Sequence, residues 1–123
     1  MVKRNNGGTI TFISSQHGLV ANYDRIPYCM TKGLLVQMTK AIALELSHHQ
    51  IRVNCISPTF VRTEKNKDFL ASSYFYKEAL SNIPLHKYAK PIDVARGVVF
   101  LLSNAAEMIT GHNLVIDGGW TIK

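Results

Sequence analysis

Three side chains with a hydroxyl, a phenol and an amine stand close together near the start of the sequence: Ser15, Tyr28 and Lys32. Tyr28 and Lys32 are four residues apart, so in a helix they lie one turn apart on the same face. A positive charge beside a phenol favours the phenolate and lowers the tyrosine pKa, which suits it to proton transfer. The spacing therefore predicts a general acid–base pair with a hydroxyl donor nearby. The competing interpretation is a half-buried Tyr28 and a solvated Lys32, because such pairs are ordinary on helices.

A strand, a long helix and a second strand would position this group. Residues 9–13 and 51–57 are rich in β-formers or alternate apolar and polar residues, which predicts two strands. Residues 27–47 predict the helix between them, with Pro27 in its first turn. The βαβ order implies that the strands are parallel. Apolar residues follow helical spacing on two sides of this helix, so both sides are expected to be covered: Met30, Leu34, Met38 and Ala41 on one, and Leu35, Ile42 and Leu46 on the other.

The second half of the chain predicts further elements of an open sheet. Residues 59–73 are polar and irregular and are interpreted as a loop, and residues 74–82 predict a short helix. Residues 92–102 predict a helix opened by Pro91, whose buried face comprises Val94, Val98 and Leu101, with Gly97 allowing a close approach. A strand over residues 112–116 completes the pattern.

These elements predict an α/β fold, with an open parallel sheet of three strands and flanking helices. So small a sheet leaves one strand edge and one sheet face short of cover. The chain is therefore interpreted as part of a larger domain.

Composition narrows the classes of function. The 123 residues are 46% hydrophobic and 18% charged, typical of a globular protein. The formal charge of +6 attracts anions, whether nucleic acid, a phosphate-bearing cofactor or an acidic substrate. No basic stripe interleaved with aromatic residues is present, which argues against nucleic-acid binding. No apolar run has membrane-spanning length, and no signal peptide precedes the first strand. Two cysteines without a secretion signal indicate reduced thiols and a cytoplasmic protein.

The same stretches resemble the short-chain dehydrogenase/reductase family along essentially the whole chain. Ile13-Ser14-Ser15 followed by Tyr28-x-x-x-Lys32 is similar to the serine and Tyr-x-x-x-Lys signature of that family. Ser15 precedes Tyr28 by thirteen positions, a spacing common in the family. Three further segments match family motifs: Arg-Val-Asn-Cys-Ile-Ser-Pro at 52–58, Pro-Thr-Phe-Val-Arg-Thr at 58–63, and Val-Ile-Asp-Gly-Gly at 115–119.

The resemblance implies hydride transfer between NAD or NADP and an alcohol or carbonyl substrate. Tyr28 would be the general acid–base, and Lys32 would lower the Tyr28 pKa and hydrogen-bond the nicotinamide ribose. Ser15 would hold and polarise the substrate oxygen. By the same resemblance the cofactor-binding residues are Tyr28, Lys32, Pro58, Thr59, Val61 and Thr63. No metal site is expected. Ser14 is interpreted as structural. His17 and Tyr74 are interpreted as loop or packing residues, with a place in the lining of the substrate pocket as the alternative.

Substrate and assembly also follow from the resemblance. Residues 83–95 and 117–120 are similar to members that act on sugars, sugar acids and polyols, with a preference here for the sugar-acid group. The same residues are also similar to 3-oxoacyl reductases. Family members are commonly dimers or tetramers, so a homo-oligomer of the full-length protein is expected.

Two departures from the family pattern qualify these expectations. Thr59 stands where the family usually has glycine. None of the eight glycines forms Gly-x-x-x-Gly-x-Gly, the loop that cradles the cofactor phosphates. Residues 1–123 are therefore expected to be the C-terminal, catalytic half of a Rossmann-like domain, with the N-terminal cofactor-binding half upstream. The alternative is a truncated, non-catalytic remnant that serves as an oligomerisation or interaction module.

Overall fold

A parallel sheet of three strands forms the centre of the fold. The structure, a computed structural model, describes residues 1–71 and 73–122, and only the backbone of residues 73 and 75–77. The strands are β1 (Gly8–Ile13), β2 (Ile51–Pro58) and β3 (Asn113–Ile116), in the spatial order β1-β2-β3. Both pairings are parallel, with Gly8 opposite Ile51 and Cys55 opposite Asn113. The predicted α/β class and the three parallel strands are confirmed, and β2 lies at the centre.

Helix α1 (Ile26–Leu46) covers one face of the sheet. Pro27 occupies its first turn, as expected. Its inner side packs on the strands in a cluster of buried and partly buried residues: Ala43, Ile51 and Val53 with Ile10, Phe12, Ile42 and Leu46. On its outer side Met30, Leu34 and Ala41 are exposed. The two apolar sides predicted for this helix are both present, and this chain covers one of them.

Helix α4 (Pro91–Leu102) covers the opposite face. Val94, Val98 and Leu101 point into a cluster with Ile56, Ala106, Ile109, Leu114 and Ile116, which confirms the predicted buried face. A Cβ at Gly97 would stand 2.7 Å from the Ile116 Cδ1 atom, so glycine permits the close approach of helix and sheet. Because α1 and α4 lie on opposite faces, β2 is buried along almost its whole length.

The interpretation of residues 59–73 as one irregular loop is wrong in part. A short helix, α2 (Lys67–Ala71), lies within it and buries Leu70. It is followed by α3 (Ser73–Ser81), which matches the predicted short helix over 74–82. A five-residue helix makes little more than one turn, so it produces no apolar periodicity for sequence analysis to detect.

Two polar side chains of β2 tie the sheet to the end of α4 and to the segment that leads into β3. The Arg52 guanidinium donates to the Leu101 carbonyl at 2.8 Å and to the Ser103 carbonyl at 3.2 Å, at the carboxyl end of the helix. Asn54, which is fully buried, donates to the Ile109 carbonyl at 2.8 Å and accepts from the His112 amide at 3.0 Å. These bonds hold β3 beside β2. In the part of the chain described, no helix is both long and apolar enough to cross a membrane.

Candidate active site

The loop after β1 is fixed to both neighbouring elements by Ser14. Its hydroxyl donates to the Lys32 carbonyl of α1 at 2.7 Å, and its amide donates to the Ile56 carbonyl of β2 at 2.7 Å. Gly18 ends the short helical turn Gln16–Gly18 that follows. A Cβ at Gly18 would stand 2.8 Å from the Lys32 carbonyl carbon and oxygen, so the turn lies directly on the α1 backbone. The structural role predicted for Ser14 agrees with these contacts.

Ser15 caps this turn and is almost fully buried. Its Oγ accepts from the His17 amide at 3.2 Å and donates to Gln16 Oε1 at 2.9 Å. The hydroxyl therefore donates its proton to the neutral amide oxygen of Gln16. It can rotate and donate that proton instead to a stronger acceptor that lies beside it. Ser15 and Gln16 both line a cavity, described below.

Tyr28 and Lys32 lie one turn apart on α1, as the spacing predicts. The Lys32 ammonium is 5.7 Å from the centroid of the Tyr28 ring. The ammonium also donates to the Ile13 carbonyl at the end of β1, at 3.1 Å. Tyr28 is 43% exposed, so its ring is open to a ligand. The amine is held by the strand end at a fixed position beside the phenol.

One cavity of about 550 Å³ brings the two candidate groups together, and we refer to it as the Ser15–Tyr28 cavity. Four of the sequence-predicted residues line it: Ser15, Tyr28, Thr59 and Val61. The other lining residues are Gln16, His17, Asp24, Arg25, Pro27 and Phe60. Lys32, Pro58 and Thr63 are not among the lining residues.

The loop after β2 forms one wall of this cavity. Its backbone is held by a parallel bridge between Val61 and Ala89. Thr59 is buried, and its Oγ1 finds no hydrogen-bond partner in the described part of the chain. A buried hydroxyl without a partner loses its bonds to water, so a ligand that supplies a partner is favoured there. Thr63 lies in a turn closed by Asn66, whose Oδ1 accepts from the Thr63 amide at 2.7 Å.

Sequence analysis missed an aromatic wall of the site. His17, interpreted from the sequence as a loop or packing residue, is buried yet lines the Ser15–Tyr28 cavity. Its ring makes edge contacts with Tyr28 at 6.0 Å, Phe60 at 6.2 Å and Trp120 at 5.8 Å between centroids. Phe60 and Trp120 come from the segments after β2 and β3. Both stand in stretches similar to the family, but nothing in the sequence indicates that their rings meet His17. Rings in this arrangement form a rigid apolar surface beside the phenol.

The environment of His17 favours the neutral form of its imidazole. Burial lowers the pKa of His17 from its ordinary value of 6.5, and the positive charge of Arg25 lowers that pKa further. The Asn22 side-chain nitrogen lies 3.5 Å from His17 Nε2.

We expect the lowered pKa of His17 to make the protein less stable in acid. Because the folded-state pKa lies below 6.5, the unfolded chain binds a proton that the folded chain excludes between the two values. The stabilisation by neutral His17 is complete above pH 6.5 and is lost as the pH falls through the lowered folded-state pKa. Urea unfolding of the whole protein between roughly pH 8 and pH 5 should show this fall.

The matched comparison is His17→Asn against His112→Asn. His112 is an exposed histidine that does not line the Ser15–Tyr28 cavity. In His112→Asn the free energy of unfolding should therefore still fall in acid as it does in the wild-type protein. His17→Asn should make that loss shallower. An equal slope in the wild-type protein and in His17→Asn would contradict the prediction.

No group of three or more histidine, cysteine, aspartate or glutamate side chains that could hold a metal ion occurs among the described residues. The side chains around the Ser15–Tyr28 cavity are hydroxyl, phenol, amide, aromatic and aliphatic groups, together with the Asp24 carboxylate and the Arg25 guanidinium. Their chemistry is that of proton transfer and hydrogen bonding.

Comparison with known proteins agrees with this chemistry. A family model described as enoyl-(acyl carrier protein) reductase matches residues 1–121. An L-xylulose reductase of Cavia porcellus is 41% identical over 120 residues, which cover 98% of this chain and 49% of the relative. An NAD-dependent glycerol dehydrogenase of Listeria innocua is 40% identical over 117 residues, or 95% of this chain and 46% of the relative. The chain thus spans about half the length of the curated relatives that it matches.

Solved structures of known proteins share the fold of this chain. The structure of a 4-hydroxyisoleucine dehydrogenase complexed with NADH has a TM-score of 0.93 and 36% sequence identity to this chain. The match covers 98% of this chain and 50% of that protein. A further solved structure, matched at similar coverage, contains NADP.

Proposed function

The chain belongs to the short-chain dehydrogenase/reductase family, and from that premise we propose that the whole protein transfers a hydride between NAD or NADP and an alcohol or carbonyl carbon of a sugar, sugar acid or polyol. The observation that carries the proposal is geometric. Ser15 and Tyr28 line one cavity, and the Lys32 ammonium lies 5.7 Å from the phenol ring. Relatives named for L-xylulose and glycerol support the class of substrate.

Tyr28 is the proposed general acid–base. Its exposed phenol can give a proton to a substrate oxygen or take one from it, a contribution of roughly 10²–10⁴-fold to the rate. The Lys32 ammonium stabilises the phenolate that remains after the proton is given. Ser15 redirects its hydroxyl from Gln16 Oε1 to the same substrate oxygen and stabilises the charge that develops there. NAD or NADP, when bound, supplies or accepts the hydride.

The residues of this chain fit the nicotinamide end of such a cofactor. The Thr59 hydroxyl is buried in the cavity wall and has no hydrogen-bond partner among the described residues, and the nicotinamide carboxamide would offer it both donor and acceptor groups. We propose that Thr59 and Val61 contact the nicotinamide and that Lys32 hydrogen-bonds the adjoining ribose. Pro58 would set the direction in which the loop leaves β2. Thr63 stays a prediction from the family pattern, since Asn66 holds its amide in the turn.

We propose that residues outside this chain hold the other end of the dinucleotide. The eight glycines of the sequence form no phosphate-cradling loop, and the matched relatives are about twice as long as the chain. On this proposal residues 1–123 are the catalytic half of a Rossmann-like domain. The choice between NAD and NADP is then made by residues in the other half.

The test of the proposed function is an assay of the whole protein with NAD and with NADP against a panel of polyols, ketoses and sugar acids. We expect a change in nicotinamide absorbance with at least one cofactor and one member of the panel. Turnover with neither cofactor, together with no quenching of protein fluorescence by either, would contradict the proposal.

We also propose a homo-oligomer that uses the outer side of α1, and a cytoplasmic location. Met30, Leu34 and Leu44 are large apolar residues on that helix that are more than half exposed, and a second subunit would bury them. Cys29 and Cys55 are both free thiols, which suits a reducing compartment. Burial raises the pKa of Cys55, so this thiol stays protonated.

A further inference from the structure

Arg25 occupies a distinctive place beside the site. It immediately precedes α1, and it lines both the Ser15–Tyr28 cavity and a neighbouring cavity of about 540 Å³. Asp24 and Phe60 are the other residues common to the two cavities. A substrate with its reacting carbon at Tyr28 therefore extends toward Arg25 if it is longer than a few carbon atoms.

The guanidinium is available to a ligand. One of its nitrogens donates to the Asp24 carbonyl at 3.3 Å, a backbone contact that does not neutralise the positive charge. Within the described residues Arg25 forms no ion pair. Among the described residues, Arg25 and Asp24 are the only ones lining the Ser15–Tyr28 cavity that carry a charge at neutral pH, since the lowered pKa of His17 favours its neutral form. An anion in this cavity thus has one cationic partner.

We propose that Arg25 binds a carboxylate of the substrate, so that the protein acts on hydroxy acids or oxo acids in preference to neutral sugars and polyols. This inference rests on the proposed function and names the class of substrate for the same cavity. The planar guanidinium fork matches a carboxylate in two parallel hydrogen bonds. Asp24, the preceding residue, also lines the cavity, and its negative charge opposes a doubly charged phosphate more strongly than a singly charged carboxylate.

The test compares pairs of substrates of equal chain length in which one member ends in a carboxylate and the other in a neutral group, such as D-gluconate and D-glucitol, and 3-hydroxybutyrate and 2-butanol, with a sugar phosphate as a further arm. The whole protein and three variants are assayed: Arg25→Gln, Arg25→Lys and Arg96→Gln. Arg96→Gln removes the same charge from α4, where Arg96 lies beside Asp93 and outside both cavities. The quantity measured is the ratio of kcat/KM for the acid to kcat/KM for its neutral partner.

In Arg25→Gln we expect this ratio to fall by about tenfold to a hundredfold, mainly through KM, because a charge-assisted hydrogen bond is lost. Arg25→Lys should recover part of the loss, and Arg96→Gln should leave the ratio near the wild-type value. An unchanged ratio in Arg25→Gln would overturn the inference, as would a wild-type preference for neutral substrates or for the sugar phosphate. In those cases turnover is still seen, so the proposed function stands. Absence of turnover with every pair would overturn the proposed function and this inference with it.

Discussion

Tyr28→Phe is expected to lower kcat/KM of the whole protein by about 10²–10⁴-fold with every substrate that it turns over. The substitution removes only the phenol oxygen, which is the atom that would exchange the proton with the substrate. The phenylalanine ring would still make the edge contact with His17. Because the side chain is partly exposed, we expect the substitution to change little of the packing. Steady-state assays with saturating cofactor measure the effect.

The control for this prediction is Tyr23→Phe. Tyr23 is 91% exposed and does not line the Ser15–Tyr28 cavity, so loss of its hydroxyl should leave turnover close to that of the wild-type protein. Thermal unfolding should give nearly equal midpoints for the wild-type protein and both variants. If Tyr28→Phe keeps more than about a tenth of the wild-type kcat/KM, Tyr28 is not the general acid–base.

Gly18→Ala is expected to lower kcat/KM by about a hundredfold, because it displaces the turn that carries Ser15. The new Cβ would stand 2.8 Å from the Lys32 carbonyl group and from Ser14 Oγ. The Lys32 carbonyl is backbone within α1 and has little room to move, so the turn must shift away from the helix. A shift of that kind separates Ser15 from Tyr28 and strains the packing, at an expected cost of about 1–3 kcal/mol in the free energy of unfolding.

Gly33→Ala is the matched control for Gly18→Ala. A Cβ at Gly33 would meet only the Gly18 carbonyl oxygen, at 3.6 Å, which is an ordinary contact. Alanine also favours the helix by roughly 0.5–1 kcal/mol relative to glycine. We expect Gly33→Ala to be as active as the wild-type protein and as stable or more stable. Equal activity and stability in the two alanine variants would show that the turn is free to move.

The candidate acid–base group could be predicted from the sequence because local geometry determines its arrangement. Tyr28 and Lys32 share a helix, and their four-residue spacing alone places them on one face. Ser15 follows the end of a strand, where parallel sheets present their functional side chains. The apolar–polar alternation and the helical periodicity of the remaining elements likewise predict three strands and their parallel arrangement in one sheet.

The rest of the site depends on contacts between parts of the chain that are distant in sequence. His17, Phe60 and Trp120 meet only because three different strands end at the same edge of the sheet. Arg25 is one cation among fourteen, and nothing in its neighbours distinguishes it until the cavities are formed. Thr63 stays a prediction of the family motif, since the structure shows only that its backbone amide donates to Asn66 Oδ1.

The origin of Trp120 in the segment after β3 bears on how this protein can evolve. The groups that would exchange a proton all come from the βαβ unit between β1 and β2, whereas the tryptophan is held by a separate turn in which Asp117 accepts from the Gly119 and Thr121 amides. Mutations in that turn can reshape the wall facing a substrate without moving the acid–base pair. If the proposed function holds, descendants of one ancestor can thus acquire new specificities through the segment after β3 while retaining an inherited chemistry.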